Sequence, residues 1–511
     1  MFFFNFIIKW FNERKWIFSL LLILIIASFL RFYDIGTESY WYDEIASIRE
    51  SDLNIEGIAQ SANHPPLYFL LLNLWIKLFG ENETTLRALS AIFGIVSILL
   101  IYKIGNILFN KRVGLIASLL AALSTFYIYH SQEVRSYSLL LLLSLISYYF
   151  FIVITRQDKK WHYPCYLIAN LLLGYTHLYG LLIIASQVLF FLLFWVEYRP
   201  ITIKLSSTIA VTIFGLTPLI FLLFNPAATL AAEGFWITQP GLDSIFGTLA
   251  AFSGGDIGSL YSRPSAGKYF MVPLFVILII IGLFSIKLIN GKWHWKSPGA
   301  SLRELSWQID IRFAKEELLL LLWLLISIFI PFVESRIWTP IYHTKYMIGA
   351  SPAFLLLVAK GMGNLNKKWI IYPILAFIIV LSSFGLQSYY KGVLKEQWRE
   401  AASFVEDNAE GNDILVFCGG THIELCFDYY YQCPLPRYRI GKDEGDPEYI
   451  ANFINTSSIG KDRLWVILSR CTTNTKCLIK SFLLNIYGNQ AVVLEKEFVL
   501  ISVLLLDLSY H

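Results

Sequence analysis

Charge is what this sequence has least of. Only 15% of its 511 residues are Asp, Glu, Lys or Arg, against roughly 25% in a soluble globular domain. A water-soluble fold of this length would need more polar surface to cover its core. The 41 basic and 37 acidic residues leave a formal net charge of +4, too small a footprint for nucleic acid. Six cysteines in the whole chain exclude a disulfide-dense secreted scaffold, and modest Gly and Pro numbers exclude a collagen-like repeat. No Gly-rich phosphate loop is present, so a nucleotide-linked substrate has no cradle. What is abundant is apolar: 56% of residues are hydrophobic and 16% are Phe, Trp or Tyr. That balance excludes disorder and points to a polytopic membrane protein.

Apolar runs at approximately 16–30, 87–104, 113–129, 138–155, 163–178, 180–197, 206–224, 269–286, 317–333, 346–363 and 369–386 predict about eleven spanning helices. The first follows Lys9, Arg14 and Lys15 and lacks a small-residue cleavage site, so it reads as a span rather than a signal peptide. With strict alternation, the inner segments hold about twice as many Lys and Arg as the longer outer ones. This predicts an inner-membrane protein with a cytoplasmic N-terminus and an extracytoplasmic C-terminus. The assignment requires residues 64–79, HPPLYFLLLNLWIKLF, to lie at the outer interface as a juxtamembrane or re-entrant helix.

The composition shifts after Leu386. Residues 390–511 alternate short apolar runs with helix-like segments such as Trp398–Asn408, the pattern of a small α/β domain. The expected division is therefore a membrane domain, 1–389, and an extracytoplasmic domain, 390–511. Cys418, Cys426, Cys433, Cys471 and Cys477 all lie in the second. Cys426 with Cys433 and Cys471 with Cys477 are the nearest pairs, but spacing does not fix connectivity, and it fits no standard zinc pattern.

The ionisable residues at the ends of the apolar runs gather on one side. Asp43 and Glu44, between aromatics in YWYDE, would sit near headgroup level; one could serve as general base and the other hold a cation, or the pair could be a solvated acidic loop. His64 precedes a diproline that itself suits a helix start. Arg87 opens the second run and by default would snorkel. Glu133, Arg135 and Tyr137 in QEVRSY share a side in extended geometry, where the charges could pair locally. His177 in GYTHLYG reads as an ordinary hydrogen-bonded interfacial histidine, and Lys345 in HTKYMIGASPAF again lies at an outer edge. Burial of such groups is costly unless they are used or paired. Their convergence on one face is harder to dismiss than any one of them.

The ordered set YWYDE, HPPLYF, LRALSAIFG and QEVRSY resembles the GT-C integral-membrane glycosyltransferases. Within them it is most similar to glycosyltransferase family 39, the protein O-mannosyltransferase group, and to its relative that transfers aminoarabinose to lipid A. TKYMIGASPAFLLL and WREAASFVEDNAEGNDILVF are similar to bacterial members. The resemblance runs from about residue 16 to 200 and is patchier from 330 to 420. It implies a polyprenyl-phosphate sugar donor, a hydroxyl acceptor on a lipid, glycan or protein, Asp43 as catalytic base and Glu44 as its companion. His64 takes the place of the residue before the diproline, and Arg87 that of the arginine after the interfacial helix. Glu133, Arg135, Tyr137 and Lys345 join them as donor-binding candidates. Lys345 stands where many bacterial relatives carry Arg, and a lysine lacks the bidentate fork. No counterpart of the large luminal domain of eukaryotic O-mannosyltransferases is present, so protein mannosylation is not implied.

A polyprenyl phosphate is a good leaving group, so cations and orientation are the main requirements. A single inverting displacement then needs one carboxylate base. No cofactor is required by the sequence, although a divalent ion on Asp43, Glu44 and His64 is compatible with it. The outer loop 225–268, with Phe235, Trp236 and Gly254-Gly255-Asp256, would cover the donor. The alternative, a solute transporter or lipid flippase, places ionisable residues near the bilayer midplane; here the run centres are nearly pure Leu, Ile and Phe.

Overall fold

The computed structural model describes residues 2–53, 57, 64–219, 237–255, 267–283, 314–365, 367–418, 422–440, 460–469, 481 and 485–508, with side chains from residue 14 onward except at 440 and 489. Phe235, Trp236, Asp256, Cys471 and Cys477 lie outside the described residues, as does most of the expected basic loop after residue 283. The chain divides into two compact units. One comprises Met1–Tyr33, Asn54–Leu71 and Arg87–Tyr390; the other comprises Asp34–Leu53, Leu72–Leu86 and Lys391–His511.

The first unit is helical. Each apolar run becomes a helix, and this is a multi-pass membrane protein. Phe2–Phe32, Glu83–Leu108, Tyr137–Arg156, Lys315–Ile337 and Lys368–Lys391 are continuous α-helices. Among the described residues seven helices are long and apolar enough to cross a membrane, and a bent pair makes an eighth. The other three expected spans are the helices His162–Gly174, Gly180–Leu193 and Gly267–Leu283, of 13, 14 and 17 residues. Hydropathy extends the first two through flanking aromatic turns that the backbone leaves non-helical. Leu67–Phe79 is a helix of 13 residues, roughly 20 Å long against a hydrocarbon core of about 30 Å.

The bent pair is Lys111–Leu123 and Thr125–Ser131, which meet at 62°. Ser124 is the break. Its backbone is extended, and its hydroxyl accepts from Tyr127 N to cap the second helix. The carbonyls released at the end of the first helix are taken by the fully buried Arg31, whose guanidinium donates to Ala121 O (3.2 Å) and Ala122 O (3.4 Å). A cation at a helix C-terminus also complements its dipole.

Two further devices pack the helices. Polar side chains link them in the interior: Gln187 Nε2 donates to Ser147 Oγ (2.8 Å), Ser147 Oγ to Asn170 Oδ1 (2.6 Å), and Tyr166 Oη to Gln187 Oε1 (2.6 Å). Glycines allow close approach where Gly282 faces Gly361; a Cβ on Gly361 would overlap the Leu278 carbonyl.

The second unit contains a five-stranded sheet. Its strands are β1 (Ile414–Cys418), β2 (Arg437–Ile440), β3 (Arg463–Ser469), β4 (Val492–Phe498) and β5 (Ile501–Asp507), in the order β2-β1-β3-β5-β4. β1 pairs parallel with β2 and β3, whereas β5 pairs antiparallel with β3 and β4. Buried β1 is apolar throughout, as a strand covered on both faces should be, whereas β4 at the edge carries Glu495, Lys496 and Glu497. Asp413, buried just before β1, accepts from Arg463 Nε and Nη2 (both 2.9 Å) and from Trp465 Nε1 (2.8 Å). Cys433 is a thiol, so the Cys426–Cys433 disulfide does not form.

Candidate active site

Within the first unit, three chain segments meet around one ring. The turn 132–136 leads into the helix Tyr137–Arg156, so QEVRSY is folded rather than extended and its charges part company. Glu133 turns back to His130, whose Nδ1 lies 2.7 Å from Oε2, with both side chains buried. Arg135 goes the other way, its guanidinium 5.7 Å from the centre of the Tyr137 ring and Nη2 donating to His64 Nε2 at 3.4 Å. Lys345, at the start of the 3₁₀ turn Thr344–Ala350, places Nζ 5.5 Å from the same ring and 5.7 Å from the Tyr346 ring. Arg135 and Lys345 are both buried. Two buried cations thus lie within cation–π range of one tyrosine ring.

The hairpin 175–179 closes this cluster. Leu67 N, just after the diproline, donates to Tyr175 O (3.0 Å), and Tyr179 Oη donates to Ile341 O (2.6 Å). The hairpin thereby fixes the segments carrying His64 and Lys345. His177 lies between them, 5.0 Å from the Tyr346 ring and 6.4 Å from the Tyr137 ring. Desolvation among these rings, then opposition from His64, Arg135 and Lys345, pushes its pKa down to about 3. His177 is neutral at physiological pH.

Arg87 does not snorkel. It is fully buried in the helix Glu83–Leu108.

Asp43 and Glu44 belong to the second unit, in the first turn of the helix Tyr42–Asp52. Successive residues on a helix point about 100° apart, and the two carboxylates have different surroundings. Glu44 is fully buried, with Lys395 Nζ 3.1 Å and 3.2 Å from its two oxygens, and its Oε2 accepts from Trp41 N (3.4 Å). Asp43 is half-buried. Glu396, next to Lys395, accepts from Tyr42 N (3.4 Å) and Trp398 Nε1 (2.7 Å). Lys395 and Glu396 therefore grip the start of the Asp43 helix from two sides. Tyr430 Oη accepts from Tyr40 N (2.7 Å) and donates to Glu83 (2.9 Å); burial and the Glu83 charge push its pKa up. Among the described residues no three His, Cys, Asp or Glu side chains form a metal-ligand set.

Sequence reasoning singled out neither Lys395 nor His130, and set His177 aside. Lys395 meets Glu44 across 351 positions, which no local pattern reveals. His130 lies three residues before Glu133, a helical spacing that would have paired them had the segment been read as a helix end.

Residues 63–229 match the family model described as dolichyl-phosphate-mannose-protein mannosyltransferase, the group to which the motifs point. No curated protein matches the chain. Among solved structures, apo ArnT from Cupriavidus metallidurans aligns with a TM-score of 0.58 at 12% identity, over 98% of this chain and 99% of that one. The same protein bound to undecaprenyl phosphate gives 0.56 at 11%, over 97% and 99%. The oligosaccharyltransferase AglB from Archaeoglobus fulgidus, in complex with an inhibitory peptide and a dolichol-phosphate, gives 0.50 at 11%, over 89% and 70%. The fold is thus the ArnT-like GT-C fold, and in this chain it comprises a helical membrane part and a small C-terminal sheet.

Proposed function

We propose that this GT-C chain transfers a sugar from a polyprenyl-phosphate donor to an acceptor hydroxyl at the outer face of the membrane. The observation that carries the reading is the convergence of Arg135 and Lys345 on the Tyr137 ring. A buried anion site is what a phosphate leaving group needs. The family match covers the segment that supplies Arg135, and the ArnT fold accepts undecaprenyl phosphate in its own structure. Neither comparison favours a transporter.

In the proposed step the acceptor oxygen attacks the anomeric carbon while the bond from that carbon to the phosphate oxygen breaks. The electron pair leaves on the phosphate, whose growing charge Arg135 and Lys345 neutralise. The hydroxyl proton passes to a carboxylate base, the role that the motif resemblance implies for Asp43. Glu44, already paired with Lys395, keeps the Asp43 helix in place and takes no proton. His64 orients Arg135 by accepting from it, and Glu133 acts through His130. Arg87 completes the donor-binding set. The step balances without a metal ion while a divalent ion stays compatible with it, and turnover in EDTA separates the two.

One displacement predicts inversion at the anomeric carbon. Nuclear magnetic resonance of the product decides this: retained configuration would require a carboxylate nucleophile and would overturn the mechanism. The topology, with the N-terminus cytoplasmic and the C-terminal domain outside, predicts that a membrane-impermeant maleimide labels Cys433 in intact cells. Labelling only after permeabilisation would reverse it.

A further inference from the structure

We propose that His177 is a neutral hydrogen-bond donor to the phosphate held by Arg135 and Lys345, acting through its Nε2–H. The proposal rests on the donor-phosphate reading of that cluster and deepens it.

The backbone fixes the tautomer. Tyr179 N lies 3.2 Å from His177 Nδ1, and a main-chain N–H can only donate. Nδ1 is therefore the acceptor and carries no proton, which leaves the single proton of the neutral ring on Nε2. Among the described residues Nε2 has no hydrogen-bond partner, and the ring is half-buried rather than sealed in.

The ring's neighbours place His177 beside the two cations. His177 packs against Tyr346 at 5.0 Å, Tyr179 at 5.6 Å and Tyr137 at 6.4 Å. Tyr346 and Tyr137 are the rings that seat Lys345 and Arg135. The hairpin that carries His177 is bonded to both flanking segments through Tyr175 O and Tyr179 Oη, so the ring is held rather than tethered at a loop tip. A neutral group suits the position. A third full charge beside Arg135 and Lys345 would be repelled by them, whereas a neutral N–H adds a bond to a bound phosphate without that repulsion. The hairpin thus supplies a directional contact that a lysine point charge cannot.

The test is equilibrium binding of undecaprenyl phosphate to the purified full-length protein in nanodiscs, with undecaprenol as the phosphate-free control. His177→Phe, which keeps the ring contacts, should weaken undecaprenyl phosphate binding by about tenfold or more, the scale of a hydrogen bond to a charged group. Undecaprenol binding should not change. His177→Gln, whose carboxamide nitrogen falls near the Nε2 position, should restore binding to within about threefold. His177→Asn, which mimics Nδ1, should not. If the parent prefers the phosphate lipid and H177F binds it equally well, the histidine role is overturned and the phosphate site stands. If the parent does not distinguish the two lipids, the donor-phosphate reading itself fails. If H177F loses both lipids through misfolding, H177Q decides. A folded H177Q that discriminates like the parent supports the donor role, and one that does not discriminate overturns it.

Discussion

Arg135 and Lys345 reach the same tyrosine ring, but their chemistry is unequal. A guanidinium can fork onto two phosphate oxygens and an ammonium cannot. Arg135→Lys should therefore lower kcat/KM for the lipid donor by about ten- to hundredfold, the scale of a lost charge-assisted hydrogen bond. Lys345→Arg should retain or raise it. Steady-state kinetics with one donor checks both, and equal losses would contradict the forked contact. His177 gives a prediction in pH. The unfolded chain takes a proton on this residue below about 6.5, whereas the folded one resists it down to about 3. The unfolded state thus binds the extra proton in that window, and stability falls as pH falls through it. The groups facing the ring are His64, Arg135, Lys345, Tyr137, Tyr179 and Tyr346. The melting temperature of the parent should drop more steeply than that of His177→Gln on acidification; parallel profiles would contradict the assignment. Most of this cluster is legible as motifs, because QEVRSY and HTKYMIGASPAF put charge where apolar runs end. The pairings are not. Glu133 and Arg135 look like partners two residues apart, and only the turn at 132–136 sends one to His130 and the other to His64.

Helices are the level at which the sequence reads best, since hydropathy is a property of local runs. It fails where a run is interrupted by geometry rather than composition. Ser124 lies inside the apolar stretch 113–129 and is one polar residue among many, yet the helix bends there by 62°. The Ser124 hydroxyl caps the helix Thr125–Ser131, and Arg31 captures the last carbonyls of Lys111–Leu123. Glycine contacts are equally silent in sequence. Gly361 is one of 31 glycines, but a side chain there would meet the Leu278 carbonyl. Gly361→Ala should part the helices Gly267–Leu283 and Ser351–Asn364 and destabilise the protein by about 1–3 kcal/mol, the range of overpacking. Thermal unfolding in detergent measures it; an unchanged melting temperature would show that the two helices are free to separate.

Across the whole molecule, the two units are held by different physics. Apolar helices are linked by small residues and buried hydrogen bonds in one, and in the other a sheet core is pinned by charged contacts at its margin. Asp413 is the clearest of these, accepting from Arg463 and Trp465 at once. Asp413→Ala removes the acceptor shared by Arg463 and Trp465, leaves Arg463 only the exposed Glu410 (2.8 Å), and should cost about 1–3 kcal/mol in the second unit. Chemical denaturation followed by tryptophan fluorescence would report the loss, and a value near zero would mean that solvent replaces the contact. The composition shift after Leu386 is visible in the sequence, but the grouping of Asp34–Leu53 and Leu72–Leu86 with Lys391–His511 is not. Those join through contacts such as Lys395 with Glu44 and Arg399 with Glu83, which span hundreds of residues and leave no local trace. The measurement that bears most directly on the function is sugar release or transfer from a panel of radiolabelled polyprenyl-phosphate sugars by the purified protein and by Asp43→Asn. The parent should turn over at least one donor, and Asp43→Asn should abolish that turnover while undecaprenyl phosphate still binds. Turnover that survives in Asp43→Asn would contradict the base assignment, and a parent that neither binds nor consumes any such lipid would contradict the account as a whole.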